Sequence, residues 1–217
     1  MTPQFVFRAL FLALAALSLS FENLCAQNQE NRYDATIITL QGDTIEGAVR
    51  PFISSTSSFH TLVYWDQEGV KHKVKPESLQ GFESQGKVFE SVKLNDSSCP
   101  TCYKQVLLCR LIDGPMILYR YYTHASRPHL IHGVKTKCIQ FFYIRKAGDD
   151  MAIRAYKKNC ENSPLQILAQ PNNNLQFVEY FSDVRSIYVG LKSKELGRSD
   201  IMKLVSKYNK AILERPS

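Results

Sequence analysis

The sequence lacks the short motifs that mark the commonest enzymes. It contains no Gly-x-Ser-x-Gly nucleophile elbow, no glycine-rich phosphate-binding loop and no His-Glu-x-x-His zinc motif. Acidic residues are in the minority, 20 against 27 Lys and Arg, and no spacing among them singles out a general acid and base pair. These absences argue against a common hydrolase or nucleotide-dependent enzyme, and we expect no cofactor.

The N-terminus also lacks a run of about 20 apolar residues, the length that crosses a bilayer. Its uncharged stretch, Ala9 to Leu19, is shorter, follows the single cation Arg8 and is followed closely by Glu22. This pattern predicts a cleavable signal peptide over residues 1–26 and no transmembrane segment after its removal. The protein is therefore expected to be exported, and to be periplasmic, associated with the cell envelope or secreted.

The position of the cut affects the cysteine count. Ala26 is the predicted last residue of the leader, and a cut near Ser20 is the alternative. Attachment of a lipid to Cys25 would tether the domain to a membrane, but the bulky Leu24 before it disfavours that modification.

The chain carries a formal net charge of +7, and 44% of its residues are hydrophobic. This composition is typical of a globular protein, and the roughly 190 residues after the leader suffice for one ordinary domain. A basic surface can meet nucleic acid, anionic lipid or acidic polysaccharide. Because an exported protein rarely meets chromosomal DNA, we expect envelope components or an anionic glycan as partners and no nucleic acid. The alternative is that scattered cations only keep the protein soluble.

Pairs of β-branched and apolar stretches flank short turns that contain Gly and Asp, which tolerate the positive φ of tight hairpins. The pairs are Tyr33 to Leu40 with Thr44 to Val49, Val106 to Ile112 with Met116 to Tyr122, and Gln140 to Arg145 with Met151 to Tyr156. Thr61 to Trp65, Val70 to Val74 and Lys87 to Leu94 are further strand candidates. Successive hairpins predict an antiparallel β meander or barrel-like sheet over residues 27–160.

The pattern becomes helical over residues 161–217. Ser163 followed by Pro164 is a good helix start. Apolar residues at steps of three and four from Phe177 to Leu191 predict one amphipathic helix, and Ser199 can cap another that ends beyond Ile212. Two or three helices packed on the sheet make the predicted fold class α+β.

The most noticeable local motif is Cys99-Pro-Thr-Cys102. This spacing occurs in thiol-disulfide enzymes, although there the pair opens a helix after a strand, a context that is missing here. It also occurs in zinc sites, which need further ligands. Weak candidates for these are His124, His129 and His132. The third alternative is a structural disulfide, since exported proteins keep disulfides and five cysteines remain after the leader.

One segment is rich in both aromatic and cationic residues. Rings that stack and cations that neutralise would suit an anionic glycan or single-stranded nucleic acid. The alternative is a strand whose alternate tyrosines pack inward, followed by a polar loop. The candidate residues for an anionic ligand are Tyr119, Arg120, Tyr122, Arg127, Lys135 and Lys137.

The opening hairpin, from Ile37 to Gly47, resembles the start of many uncharacterised exported proteins of Bacteroidota-type bacteria. The stretches Arg110 to Tyr119 and Lys207-Tyr208-Asn209 are similar to patterns in those chains. The resemblance implies an envelope location and supplies no catalytic residues. The cysteine pair is not part of the pattern.

Two classes of function remain open. The first is a non-enzymatic exported envelope protein that acts as a binding or structural module, for example by holding an anionic glycan. The second is a thiol-disulfide or metal-dependent enzyme centred on Cys99 and Cys102. The sequence favours the first.

Overall fold

A computed structural model describes residues 32–50, 60–95, 105–129, 133–159 and 174–215. The predicted signal peptide, Cys99, Cys102, His132 and the helix start at Ser163 lie outside these ranges. In residues 123–137 the structure defines the backbone of two strands.

Ten strands form one sheet in the order β10-β9-β8-β7-β6-β5-β1-β2-β3-β4. All neighbours in this order pair antiparallel, as the hairpin signals predict. The strands are β1 (Tyr33–Thr39), β2 (Thr44–Val49), β3 (Leu62–Asp66), β4 (Lys71–Val74), β5 (Leu79–Ser84), β6 (Lys87–Asn95), β7 (Gln105–Ile112), β8 (Met116–His129), β9 (Gly133–Lys146) and β10 (Met151–Asn159). A 3-10 turn, Pro76–Ser78, precedes β5, and another, Arg198–Asp200, precedes the last helix.

The second half of the sheet closes on itself. Residues 93–95 of β6 pair in parallel with residues 151–153 of β10, so β6 to β10 form a ring of five strands. The interior of this ring is filled by one apolar cluster to which every ring strand contributes. Its buried members are Val92, Val106, Leu108, Tyr119, Tyr143 and Ala152.

The first half of the sheet packs against the outside of this ring. Side chains from β1, β2, β3 and β5 share a second core with Phe89 of β6 and with Leu107 and Cys109 of β7. Strand β7 is therefore covered on both faces, which explains its nearly continuous apolar sequence. The sequence analysis missed β5, because Gly81 interrupts its apolar pattern. A Cβ at Gly81 would lie 2.0 Å from the carbonyl oxygen of Phe89, so the close pairing of β5 and β6 requires glycine there.

Three helices follow the sheet and confirm the α+β class: α1 (Asn174–Glu179), α2 (Arg185–Lys192) and α3 (Ile201–Leu213). Their apolar faces cover the outer side of β8, β9 and β10. The prediction of one helix from Phe177 to Leu191 was wrong, because a turn over residues 180–184 separates α1 from α2. Phe181 and Val184 are nevertheless buried, so the turn keeps the apolar stripe on the sheet. Within the described ranges, no helix is long and apolar enough to cross a membrane.

A buried amide fixes the last helix to the sheet. The side-chain oxygen of Asn209 accepts a hydrogen bond from the backbone N–H of Met116 at 2.7 Å, and its nitrogen donates to the Met116 carbonyl at 2.9 Å. Gly114 makes room for this contact, since a Cβ there would lie 2.7 Å from the Asn209 amide nitrogen. The pattern Lys207-Tyr208-Asn209 thus has a structural role in docking α3.

Candidate functional site

Strands β8 and β9 extend well beyond the ring. Strand β7 pairs with β8 only as far as Arg120, and β10 pairs with β9 only as far as Ile139. Residues 123–129 and 133–138 pair with each other and, among the described residues, with no third strand. We call this two-stranded extension the arm.

The arm corrects one expectation from the sequence. A polar loop was predicted after the tyrosines, and residues 123–129 and 133–137 are instead strands in continuous register. The register is carried outward from the ring, where the same two strands are held by their neighbours. A strand that is polar on both faces lacks the alternation that identifies strands from sequence.

The register brings three of the predicted ligand residues together. Arg127 is paired directly with Lys135, and Lys137 is paired with Ala125. Because positions alternate between the two faces of a ladder, Arg127, Lys135 and Lys137 belong to one face. Three positions that the sequence fills with cations therefore share one face of the backbone ladder.

The hairpin contains no residue that could neutralise these cations from within. Between Asp113 and Asp149 the sequence has no acidic residue. Six Lys and Arg occupy the same interval: Arg120, Arg127, Lys135, Lys137, Arg145 and Lys146. This acid-free interval is a sequence signal that would have identified the hairpin as a basic unit.

Arg120 and Tyr122 lie at the base of the arm on the other face of β8. The guanidinium carbon of Arg120 is 4.8 Å from the centre of the Tyr122 ring, a cation-π contact. Arg120 also hydrogen-bonds Cys109, while its Nε is buried and makes no hydrogen bond among the described residues. Burial raises the pKa of the Cys109 thiol, and the nearby cations offset only part of this effect. That thiol is consequently a poor nucleophile.

Tyr119 is separated from the other candidates. Its side chain is fully buried inside the ring, and its hydroxyl donates a 2.5 Å hydrogen bond to Oε2 of Glu90. Burial and this hydrogen bond raise the pKa of Tyr119 far above its usual value. Glu90 also pairs with Arg110 at 2.7 Å and with Arg145 at 3.5 Å. We call Glu90, Arg110, Tyr119 and Arg145 the ring cluster.

The sequence analysis missed the ring cluster because its members come from four strands. Glu90, Arg110 and Arg145 each look like ordinary charged positions of half-exposed strands. Glu90, Arg110 and Tyr119 share one face of three adjacent strands, and the curvature of the ring brings Arg145 of β9 to Glu90. Glu90 balances one of the two arginines, and Asp113 pairs with Arg110 at 3.4 Å, so the geometry of the cluster is that of an internal support.

The structure describes only some of the residues in the metal and thiol predictions. His124 is paired with Cys138 and His129 with Gly133, and the odd separation of the two histidines places them on opposite faces of the arm. The part of the chain that the structure describes contains no group of three or more metal-ligating side chains. The predictions that involve Cys99, Cys102 and His132 stay predictions.

No protein-family model, no curated protein and no solved structure matches the chain. The fold and the hairpin define its class by themselves. It is an α+β protein in which a closed ring of five strands, covered by helices, projects a basic two-stranded arm.

Proposed function

We propose that this chain is a non-enzymatic exported protein of the cell envelope, and that the arm binds an anionic glycan. The observation that carries the proposal is the pairing of Arg127 with Lys135 in a hairpin without acidic residues. The backbone register places these positions on one face of the arm, and a cluster of cations attracts the repeated carboxylates or sulfates of a polyanionic sugar. Arg120 and Tyr122 lie at the base of the same hairpin on its other face, so they are not part of the proposed binding face.

The raised pKa values of two potentially reactive side chains, Cys109 and Tyr119, support a binding role. The pKa of Cys109 is raised by burial, and the pKa of Tyr119 is raised by burial and by Glu90. Both groups therefore keep their protons at neutral pH, and neither is activated for attack on a substrate. The competing hypothesis, a thiol-disulfide or metal-dependent enzyme, depends on Cys99 and Cys102 and predicts insulin reduction or bound zinc.

A disulfide at Cys138 fits the proposed location. Cys109 is a free thiol, whereas Cys138 carries no titrating thiol. We propose that Cys138 forms a disulfide, and Cys160, the next cysteine along the chain, is the expected partner. Intact mass with and without reductant tests the bridge and the leader cut together, and a Cys160→Ser variant should lose the bridge.

The binding experiment compares two variants that remove the same charge. Arg127→Gln/Lys135→Gln/Lys137→Gln changes the arm, and Lys203→Gln/Lys207→Gln/Lys210→Gln changes exposed lysines of α3. With heparin as the probe in a calorimetric titration, we expect the affinity of the arm variant to be lower by a factor of at least about ten. The α3 variant should keep nearly the affinity of the unchanged protein. Equal losses in both variants would show that net charge alone is recognised and would contradict the proposal.

A further inference from the structure

A second basic surface surrounds the only tryptophan of the chain. Trp65 lies on β3, paired with Ala48 of β2 and with Lys71 of β4, on the face turned away from the core of the first half. It is nevertheless only 5% exposed. Three cations cover its ring. The guanidinium carbon of Arg32 lies 4.0 Å from the ring centre, while the guanidinium carbon of Arg50 and the ammonium nitrogen of Lys71 each lie 5.6 Å from it.

Lys73 extends this surface, because it lies two positions after Lys71 on the same face of β4. It is paired with Val63 of β3. We call Arg32, Arg50, Trp65, Lys71 and Lys73 the Trp65 patch. All four of its cations are exposed. Among the described carboxylates, none lies within ion-pair distance of Arg32, Lys71 or Lys73. The adjoining sequence, residues 51–59, contains no acidic residue either.

The opposite part of the same sheet face has the opposite charge. Asp34 of β1, Glu46 of β2 and Glu83 of β5 lie on the outward-facing positions of their strands. The outer face of the first half is therefore divided into a basic part around Trp65 and an acidic part beside it. Such a division orients the face on a negatively charged surface, since one part is attracted and the other is repelled.

The patch also lies where the N-terminal segment joins the domain. Arg32 is the first described residue and stacks on Trp65. The uncharged stretch from Ala9 to Leu19 and the cysteine at position 25 precede it in the sequence. Six residues lie between Cys25 and Arg32, a span of at most about 25 Å when fully extended. The start of the described chain therefore lies on the patch.

We propose that the Trp65 patch docks the protein on a bilayer surface that contains anionic phospholipid. The phosphates attract Arg32, Arg50, Lys71 and Lys73, as cationic side chains near an anionic leaflet do. Trp65 is 5% exposed beneath these cations, so its role in the patch is to hold them on one face of the sheet. This surface is distinct from the arm, and its role does not depend on glycan binding.

The test uses the protein recovered after export, with its mass measured first so that its N-terminus is known. Sedimentation with phosphatidylcholine vesicles is compared with sedimentation with vesicles that also contain phosphatidylglycerol. We expect binding only to the anionic vesicles, and we expect Lys71→Gln/Lys73→Gln to weaken it at least about tenfold. The matched control Lys203→Gln/Lys207→Gln removes two exposed lysines of α3 and should bind as the unchanged protein does.

Trp65 supplies a local readout, because it is the only tryptophan. Its emission should change when anionic vesicles are added to the unchanged protein or to the arm variant. Lys73→Gln alone, which leaves the ring contacts of Trp65 in place, guards against a folding defect and should weaken vesicle binding about threefold to fivefold. Equal binding to both vesicle types, equal losses in the α3 control, or a loss of heparin binding in place of vesicle binding would overturn the proposal.

Discussion

The ring and the arm share the strands β8 and β9, yet they place positive charge in opposite settings. Inside the ring, Arg145 of β9 faces the carboxylate of Glu90, to which Arg110 also bonds. In the arm, Arg127 of β8 is paired with Lys135 of β9, and the hairpin contains no acidic residue. Cations that have a carboxylate partner support the fold. Cations held opposite one another leave an attraction for a partner outside the chain.

The comparison is tested most severely at Glu90. Glu90→Gln removes the one carboxylate of the ring cluster and leaves Arg110 and Arg145 beside each other in a largely buried setting. We expect a loss of about 2 to 3 kcal/mol in the free energy of unfolding, measured by urea denaturation. Heparin affinity of the folded fraction should be unchanged.

Glu83→Gln is the control, because Glu83 is exposed on the neighbouring strand β5. It should change the free energy of unfolding by less than about 0.5 kcal/mol. If Glu90→Gln were as mild as this control, the ring cluster would not support the fold as described.

Asn209 provides the next largest effect, at the start of β8. Asn209→Ala removes the partner of the Met116 N–H and carbonyl groups, which are buried under α3. We expect a loss of about 2 kcal/mol, since two backbone groups lose their hydrogen bonds. Met202→Ala, an exposed position of the same helix, is the control. A comparable loss in the control would show a general sensitivity of α3 instead.

A smaller effect on the free energy of unfolding is expected at acidic pH, from an ion pair at the end of β9 that lies in the ring. Lys146 of β9 pairs with Asp183 at 3.0 Å, and Tyr208 donates a hydrogen bond to the same carboxylate. Partial burial alone would raise the pKa of Asp183, but these bonds outweigh it and lower the pKa. The carboxylate stabilises the fold above its unfolded pKa of about 3.9, and this contribution is lost as the pH falls through the lower folded value.

The measurement is the free energy of unfolding between pH 6 and pH 2. The free energy of unfolding should fall less steeply below about pH 4 in Asp183→Asn than in the unchanged protein. The difference should be well under 1 kcal/mol, because the carboxylate is partly exposed. An unchanged decline in this variant would mean that the pair between Lys146 and Asp183 adds nothing to the fold.

The smallest expected change is in the stability of the arm itself. Arg127→Gln removes one of two opposed cations, so the free energy of unfolding should rise by a few tenths of a kcal/mol at low salt. The gain should disappear at high salt, where the repulsion is screened. A clear loss of stability would show that Arg127 has a partner within the chain, which would contradict the contrast between ring and arm.

Much of the fold follows from the sequence. Turns at Gly42 and Gly114 have the positive φ that the hairpin predictions require. The residues of the last helical stripe, Ile201, Leu204, Val205 and Tyr208, are buried as their spacing predicts. Local spacing was sufficient in these cases, because a tight turn or a helix face involves residues that are close in the chain.

Long-range closure could not be read from the sequence. The parallel pairing of β6 with β10 joins residues more than fifty positions apart, and it decides which faces are interior. Glu90 therefore looks exposed in its strand, although it is central to the ring cluster. For the same reason Tyr119 could be predicted equally well as a ligand residue or as a core residue. The helix break before Arg185 depends on contacts of Tyr180 and Asp183 with β9, which are also tertiary.

The salt dependence of heparin binding tests the central contrast most directly. A polyanion releases condensed counterions when cations bind it, so the slope of log affinity against log salt counts the cations engaged, at about one per cation. The account predicts that Arg127→Gln/Lys135→Gln/Lys137→Gln lowers this slope by about two to three, while Glu90→Gln and the α3 lysine variant leave it unchanged. A slope that stays the same in the arm variant would contradict the account.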